Sequence, residues 1–220
     1  EGGNGKLYHQ HNYELLNKIG CNYYVQWSQR KKFSTTKNFM CTKTFWLKDY
    51  KLKQNEKILI VLGSMRKTFF SYFEGNLPDF SKSQLHYTEE IIRNLDNNRL
   101  TIRFHKNFGY GEQKYLKKKY PSIKYSTREG NGYFFYDLLA EYGLKVFTSD
   151  YTANLQSLII NHPTIMLWNK NRLPNNPIYD DVYECIYENN ILFYDPVKCY
   201  KFIHRMSSFK DINDWWHSDK

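Results

Sequence analysis

Lys57-Ile-Leu-Ile-Val-Leu62 is a nearly unbroken apolar run closed by Gly63-Ser64. A half-exposed strand alternates apolar and polar positions. A parallel strand covered on both faces does not, and this run reads as the second kind. Apolar positions at Leu85, Ile91, Ile92 and Leu95, around Glu89-Glu90, predict a helix over 83–95. Leu100-Thr-Ile-Arg-Phe104 follows as a strand, Glu112 to Tyr120 as a helix stopped by Pro121, and Ile123-Lys-Tyr125 as a short strand. The alternation then continues. Tyr133 to Tyr142 reads as a helix with Gly143 as its C-terminal cap, and Leu144-Lys-Val-Phe147 as a strand. Thr152 to Asn161 (helix), Thr164 to Trp168 (strand), Tyr179 to Glu188 (helix), Ile191 to Phe193 (strand) and Val197 to Met206 (helix) complete the series.

Strands separated by helices of this length require crossover connections, which make the sheet parallel and put helices on both its faces. The predicted fold is therefore α/β, a Rossmann-like parallel sheet covered by helices on both faces, over residues 56–206. Residues 1–55 differ. They are rich in Asn, Gln, Tyr and Lys, offer one plausible strand at Tyr23 to Trp27, and do not read as a complete domain. Residues 207–220 form a short amphipathic tail with Phe209, Ile212, Trp215 and Trp216 at helical spacing.

The 220 residues are 41% apolar and 18% aromatic, enough for a buried core and unlike a disordered chain. The formal net charge of +10 permits nucleic acid, anionic lipid or phosphorylated ligands and selects none of them. Lys114, Lys117, Lys118 and Lys119 read as the solvated face of a helix. The four cysteines, Cys21, Cys41, Cys185 and Cys199, form no metal-binding spacing, and such isolated thiols point to the cytosol. No apolar stretch approaches the roughly 18 residues that span a bilayer, and no signal peptide is visible. The opening Glu1-Gly2-Gly3, without Met, is read as the start of a fragment or trimmed chain.

Open parallel sheets bind ligands beyond the carboxyl ends of their strands. Here those ends deliver Gly63, Ser64 and Arg66; Arg103, His105, Lys106 and Asn107; Thr148, Ser149, Asp150 and Thr152; and Asn169. In Thr148-Ser-Asp-Tyr-Thr-Ala-Asn154, hydroxyl side chains sit between a strand and a helix N-terminus, whose free N–H groups and dipole favour an anion. The same segment serves equally as a plain helix N-cap through Ser149 or Asp150, and one site can do both. Arg103 and His105, two residues apart, share one side of a strand and precede the loop Phe108-Gly-Tyr-Gly111, a pairing suited to a phosphate leaving group. Either residue alone reads as an ordinary surface Arg or loop His. No Walker, Gly-x-Ser-x-Gly, His-Glu-x-x-His or full dinucleotide fingerprint is present, which argues against hydrolase, zincin and NAD chemistry.

In order, these markers resemble a family of bacterial surface-carbohydrate transferases of the GT-B type, more distantly similar to CMP-Kdo-using transferases. They are the Gly2-Gly3 loop, Lys57-Ile-Leu-Ile-Val61, Arg103-Phe-His105 with Gly109-Tyr-Gly111, Thr148-Ser-Asp-Tyr-Thr152, Pro163 to Asn169, and Asp214-Trp-Trp216. The resemblance covers nearly the whole chain. It implies that residues 56–206 are the donor domain of a two-domain glycosyltransferase and residues 1–55 the end of an acceptor domain plus linker. It implies that 207–220 is a helix packing back toward that part. The resemblance implies transfer of a sugar from a nucleotide-activated donor, CMP-linked by the more distant similarity, to a surface polysaccharide or glycoconjugate acceptor, with no metal and no resident cofactor. Arg103 and His105 would act on the leaving phosphate. Ser64, Arg66, Thr148, Ser149, Asp150 and Thr152 would hold it, and Gln156 and Asn169 would contact ribose or base. Gly2 and Gly3 would lie on the acceptor side. Gln156 stands near where the family pattern carries Glu. The implied setting is cytoplasmic, at the inner membrane surface, and this chain alone is expected to turn over little or no substrate. The alternative is a non-catalytic module binding a nucleotide, or nucleic acid on its basic face.

Overall fold

The computed structural model describes residues 51–63, 78–104, 111–126, 134–149, 152–170 and 180–218, with the backbone of two further strands at 24–26 and 36–38. Those two, β1 (Tyr24–Gln26) and β2 (Thr36–Asn38), pair in parallel as a separate two-stranded sheet. The remainder of residues 1–50 lies outside the described residues, and with it the expectation that 1–55 is an incomplete domain.

The long apolar runs become β3 (Ile58–Val61), β4 (Leu100–Arg103), β6 (Leu144–Phe147) and β7 (Thr164–Leu167), and every residue in these four strands is buried. With β5 (Lys124–Ser126) and β8 (Leu192–Phe193) they form one sheet in the order β5-β4-β3-β6-β7-β8. All five pairings are parallel, as the alternating pattern requires.

Seven α-helices lie among the described residues. They are α1 (Pro78–Asn94), α2 (Glu112–Lys119), α3 (Phe134–Ala140), α4 (Thr152–Ile159), α5 (Asp180–Glu188), α6 (Pro196–Arg205) and α7 (Phe209–Trp216). Side-chain alternation along the strands divides them between two layers. On one face Ile58, Ile60, Ile102, Val146 and Ile165 pack with Ile91 and Ile92 of α1, Leu116 of α2, Ile203 of α6 and Ile212 of α7. On the other, Leu59, Val61 and Phe147 pack with Leu138 and Leu139 of α3. Further along that face, Met166 and Leu192 pack with Tyr183 of α5. Each such fully buried aliphatic side chain contributes about 1.5–3 kcal/mol, so this two-sided core is the main source of stability.

The amino edge of the sheet is closed by polar bonds. The Asn55 side chain donates to the Glu141 carbonyl (3.0 Å) and accepts from the backbone N–H groups of Lys57 (3.0 Å) and Gly143 (3.2 Å). The Arg99 guanidinium reaches the carbonyls of Glu56 (3.1 Å) and Met206 (2.9 Å). Helix α7 starts on a capping box in which Ser208 and Asp211 satisfy each other's backbone N–H groups. Those bonds to Ser208 and Ser207 hold the Asp211 carboxyl below its ordinary range. The Trp215 indole donates to the Asn189 carbonyl (3.2 Å) and that of Trp216 to the Asn161 side chain (2.9 Å). Both acceptors belong to turns that lead into strands.

Gly143 plays a different part from the C-cap its position suggests. Helix α3 already ends at Ala140, and Gly143 is not in the left-handed region. Its glycine is required by approach: a Cβ there would stand 1.8 Å from the Asn55 carbonyl oxygen. The lysines of α2 are exposed as expected, with one exception in role. Lys119 joins the hydroxyls of Tyr115 and Tyr120 on the Glu89 carboxylate of α1, tying the two helices together.

Candidate functional site

From β3 the chain moves outward to β4 and β5, then returns to lay β6 against the other side of β3 and moves out again to β7 and β8. The strand order reverses between β3 and β6. At such a reversal the connections leave the two strands on opposite sides, and open sheets of this kind bind ligands in the crevice at the carboxyl ends there.

Three segments meet at that point. Gly63 follows β3, Thr148 and Ser149 follow β6, and Gln84 comes from α1. A Cβ on Gly63 would stand 2.6 Å from Ser149 Oγ and 3.0 Å from Gln84 Nε2, so only glycine allows this approach. Thr148 is fixed from both sides. Its N–H donates to the Val61 carbonyl (3.1 Å), and its hydroxyl accepts from Gln84 Nε2 (2.8 Å). Thr148 is 1% exposed, so its hydroxyl serves the architecture of the crevice, whereas Ser149 lies against the bare Cα of Gly63.

Arg103 ends β4, level with Val61 and, one strand further, with Phe147. It is therefore two strands from Thr148, about 10 Å at the usual strand spacing. The sequence leaves it free to face solvent, but it is 7% exposed and its guanidinium lies 4.7 Å from the centroid of the Phe135 ring of α3. Gln156, in the second turn of α4, donates to the Tyr136 hydroxyl (2.8 Å) and so joins α4 to α3 beside that ring. Asn169 is half-buried, two residues past β7. Thr152 opens α4, and its side chain lies outside the described residues, as do Gly2, Gly3, Ser64, Arg66, His105 and Asp150.

Two buried polar groups at or beneath this edge were not singled out from the sequence. Gln84 reads as a polar position of an amphipathic helix, yet it is 2% exposed and its Oε1 has no partner among the described residues. Lys145 reads as the exposed position of Leu-Lys-Val-Phe, yet it is fully buried on the face of Leu59 and Phe147. Its amine has no partner among the described residues, and burial drives its pKa well below the ordinary lysine value. Neither has a local sequence signal, because both are buried by packing of distant segments.

The sheet, with its reversal of strand order between β3 and β6, defines an α/β protein of the doubly wound kind. More narrowly, the chain belongs to the LIC12162 family of transferases, whose profile matches residues 1–220. None of the curated proteins matches it. Among solved structures, a mutant of S. aureus TarM in complex with fondaparinux, alpha-GlcNAc-glycerol and UDP is similar at 14% identity with a TM-score of 0.44. The match covers 96% of this chain and 48% of that one, so this chain spans about half the length of that protein.

Proposed function

We propose that residues 56–206 are the donor-binding half of a glycosyltransferase of GT-B type, which moves a sugar from a nucleotide-activated donor to a surface polysaccharide or glycoconjugate acceptor. The observation that carries this reading is the switch point itself. A glycine-floored crevice with Ser149 at its side and the N-terminus of α4 directly beyond it lies in a chain of a transferase family. A phosphate or diphosphate there meets the free N–H groups of α4 and the hydroxyls at Ser149 and Thr152. Arg103, with His105 beyond it, supplies positive charge to the oxygen that becomes negative as the anomeric carbon–oxygen bond breaks. Gln156 and Asn169 lie on the ribose or base side, and Ser64, Arg66 and Asp150 on the phosphate side. The acceptor hydroxyl forms the new glycosidic bond and gives up its proton to a base on the acceptor domain. Residues 1–55 form the end of that domain, with Gly2 and Gly3 facing the acceptor, and 207–220 pack toward it. The setting is the cytoplasmic face of the membrane.

The test is a thermal-shift screen with CMP-, UDP-, GDP- and dTDP-sugars. A ligand at a hundred times its Kd stabilises the fold by about 2.7 kcal/mol, a rise of several degrees for a chain of this size. One base is expected to stand out. No shift with any of them, together with salt-dependent binding of random oligonucleotides, would replace this reading with a basic, non-catalytic module.

A further inference from the structure

Gln84 occupies the switch point, and half of its amide is already committed. Nε2 donates to the Thr148 hydroxyl at 2.8 Å and approaches the Thr148 carbonyl at 3.4 Å. Together these two contacts fix which end of the amide faces β6, because the carbonyl accepts only from a donor. Oε1 is left buried with no partner among the described residues. A buried amide oxygen without a donor costs about 1–3 kcal/mol. Its place in the fold is specific. The amide abuts the point where a Gly63 side chain would stand, next to Ser149 Oγ, at the reversal of strand order. Other orphaned atoms exist among the described residues, including Asn97 Oδ1 at the amino edge and the amine of Lys145, two positions before Phe147 in β6.

The polarity of the orphan restricts what it recognises. A carbonyl oxygen repels an ionised phosphate oxygen and accepts a hydrogen from a hydroxyl. We propose that Gln84 is a substrate-recognition residue, whose Oε1 accepts a hydrogen bond from a sugar hydroxyl of the bound nucleotide-sugar. The inference rests on the donor-binding reading above and divides the crevice. The α1 side takes a hydroxyl-bearing ring, and the phosphates lie toward α4 and Arg103. The hydroxyl belongs either to the ribose or to the transferred sugar, and the two sources separate by experiment.

The probes are CMP, UDP, GDP and dTDP, each free and as a sugar conjugate, titrated calorimetrically into the wild-type chain, Gln84→Leu and Gln84→Glu. The melting temperature of each variant is recorded to exclude misfolding. Gln84→Leu is expected to bind about tenfold more weakly, the value of one neutral hydrogen bond. Gln84→Glu, which keeps an acceptor oxygen, is expected to recover part of that loss. Equal losses for free nucleotide and conjugate assign the ribose; a loss confined to the conjugate assigns the transferred sugar. A second arm leaves the protein unchanged: wild type is titrated with ribo- and 2′,3′-dideoxynucleotides and with conjugates deoxygenated on the hexose. One of those deletions is expected to weaken binding about tenfold. Binding that is identical for wild type and Gln84→Leu and insensitive to every deletion overturns the role of Gln84 and leaves the donor-binding reading standing. Failure of all eight probes to bind wild type overturns both.

Discussion

The two edges of the central sheet are built differently. At the amino edge most groups are matched: Asn55 uses both ends of its amide, Arg99 reaches two carbonyls and both tail indoles find acceptors, while Asn97 Oδ1, just before β4, has no partner among the described residues. At the carboxyl edge, Gln84 Oε1 has no partner among the described residues, Arg103 is packed against a ring, and Gly63 lets Ser149 and Gln84 approach the backbone closely. Buried polar groups are normally satisfied, and exceptions gather where a protein does something other than fold. On the proposed reading the amino edge serves stability and the carboxyl edge serves binding. Substitutions at the first should change the melting temperature without changing affinity, and those at the second should change affinity.

The largest break is expected at Gly143. Gly143→Ala forces a methyl group to within 1.8 Å of the Asn55 carbonyl oxygen, a backbone atom that cannot swing aside. We expect a loss of about 3 kcal/mol, the upper range for overpacking, measured by urea denaturation. A loss below about 0.5 kcal/mol would show that the linker at Asn55 is loosely held.

Arg103→Ala sharpens the comparison, because it should register on both scales. Removing a charged partner of a phosphate is expected to cost about 1.5–3 kcal/mol of nucleotide affinity by calorimetry. Losing the contact with Phe135 should cost about 1 kcal/mol of stability. A change in stability alone would make Arg103 a structural residue.

Lys145 probes the core beneath the crevice. Its folded pKa lies below the ordinary 10.5 because burial disfavours the charged amine. Between the folded value and 10.5 the unfolded chain binds a proton that the folded chain does not. Stability must therefore rise with pH through that window, by up to about 1.4 kcal/mol per unit, and level off above it. Lys145→Met should remove this slope and stabilise the protein by about 1–3 kcal/mol at neutral pH. An unchanged profile across pH 7–10 would mean that the amine is paired.

Ser208→Ala is the smallest expected effect. It removes one half of the α7 capping box and should cost about 1 kcal/mol, with nucleotide affinity unchanged. Altered affinity would place the tail near the ligand and weaken the division of the two edges.

The difference in legibility follows the same line. The strands at Ile58–Val61, Leu100–Arg103, Leu144–Phe147 and Thr164–Leu167 were readable because burial on both faces leaves a continuous apolar run in one short segment. Their parallel pairing followed from the helices between them. Helix α1 was legible only from Ser83 on, since Pro78 to Lys82 add little apolar periodicity. At the site, Thr148 and Ser149 were readable as residues following a strand, but the commitment of the Thr148 hydroxyl to Gln84 was not, because those partners are 64 positions apart. The same holds for Gly143, where a glycine three residues past α3 suggests a cap and the true constraint comes from Asn55. The burial of Arg103 and Lys145 likewise depends on α3 and on neighbouring strands.

The central claim is that ligand binds at the carboxyl ends of β3 and β6. Amide hydrogen exchange with and without the stabilising nucleotide tests it most directly. The account predicts added protection at residues 147–149 and through the first turns of α1 and α4, with α7 and residues 53–57 unchanged. Protection confined to the amino edge, around Asn55, Gly143 and α7, would contradict it.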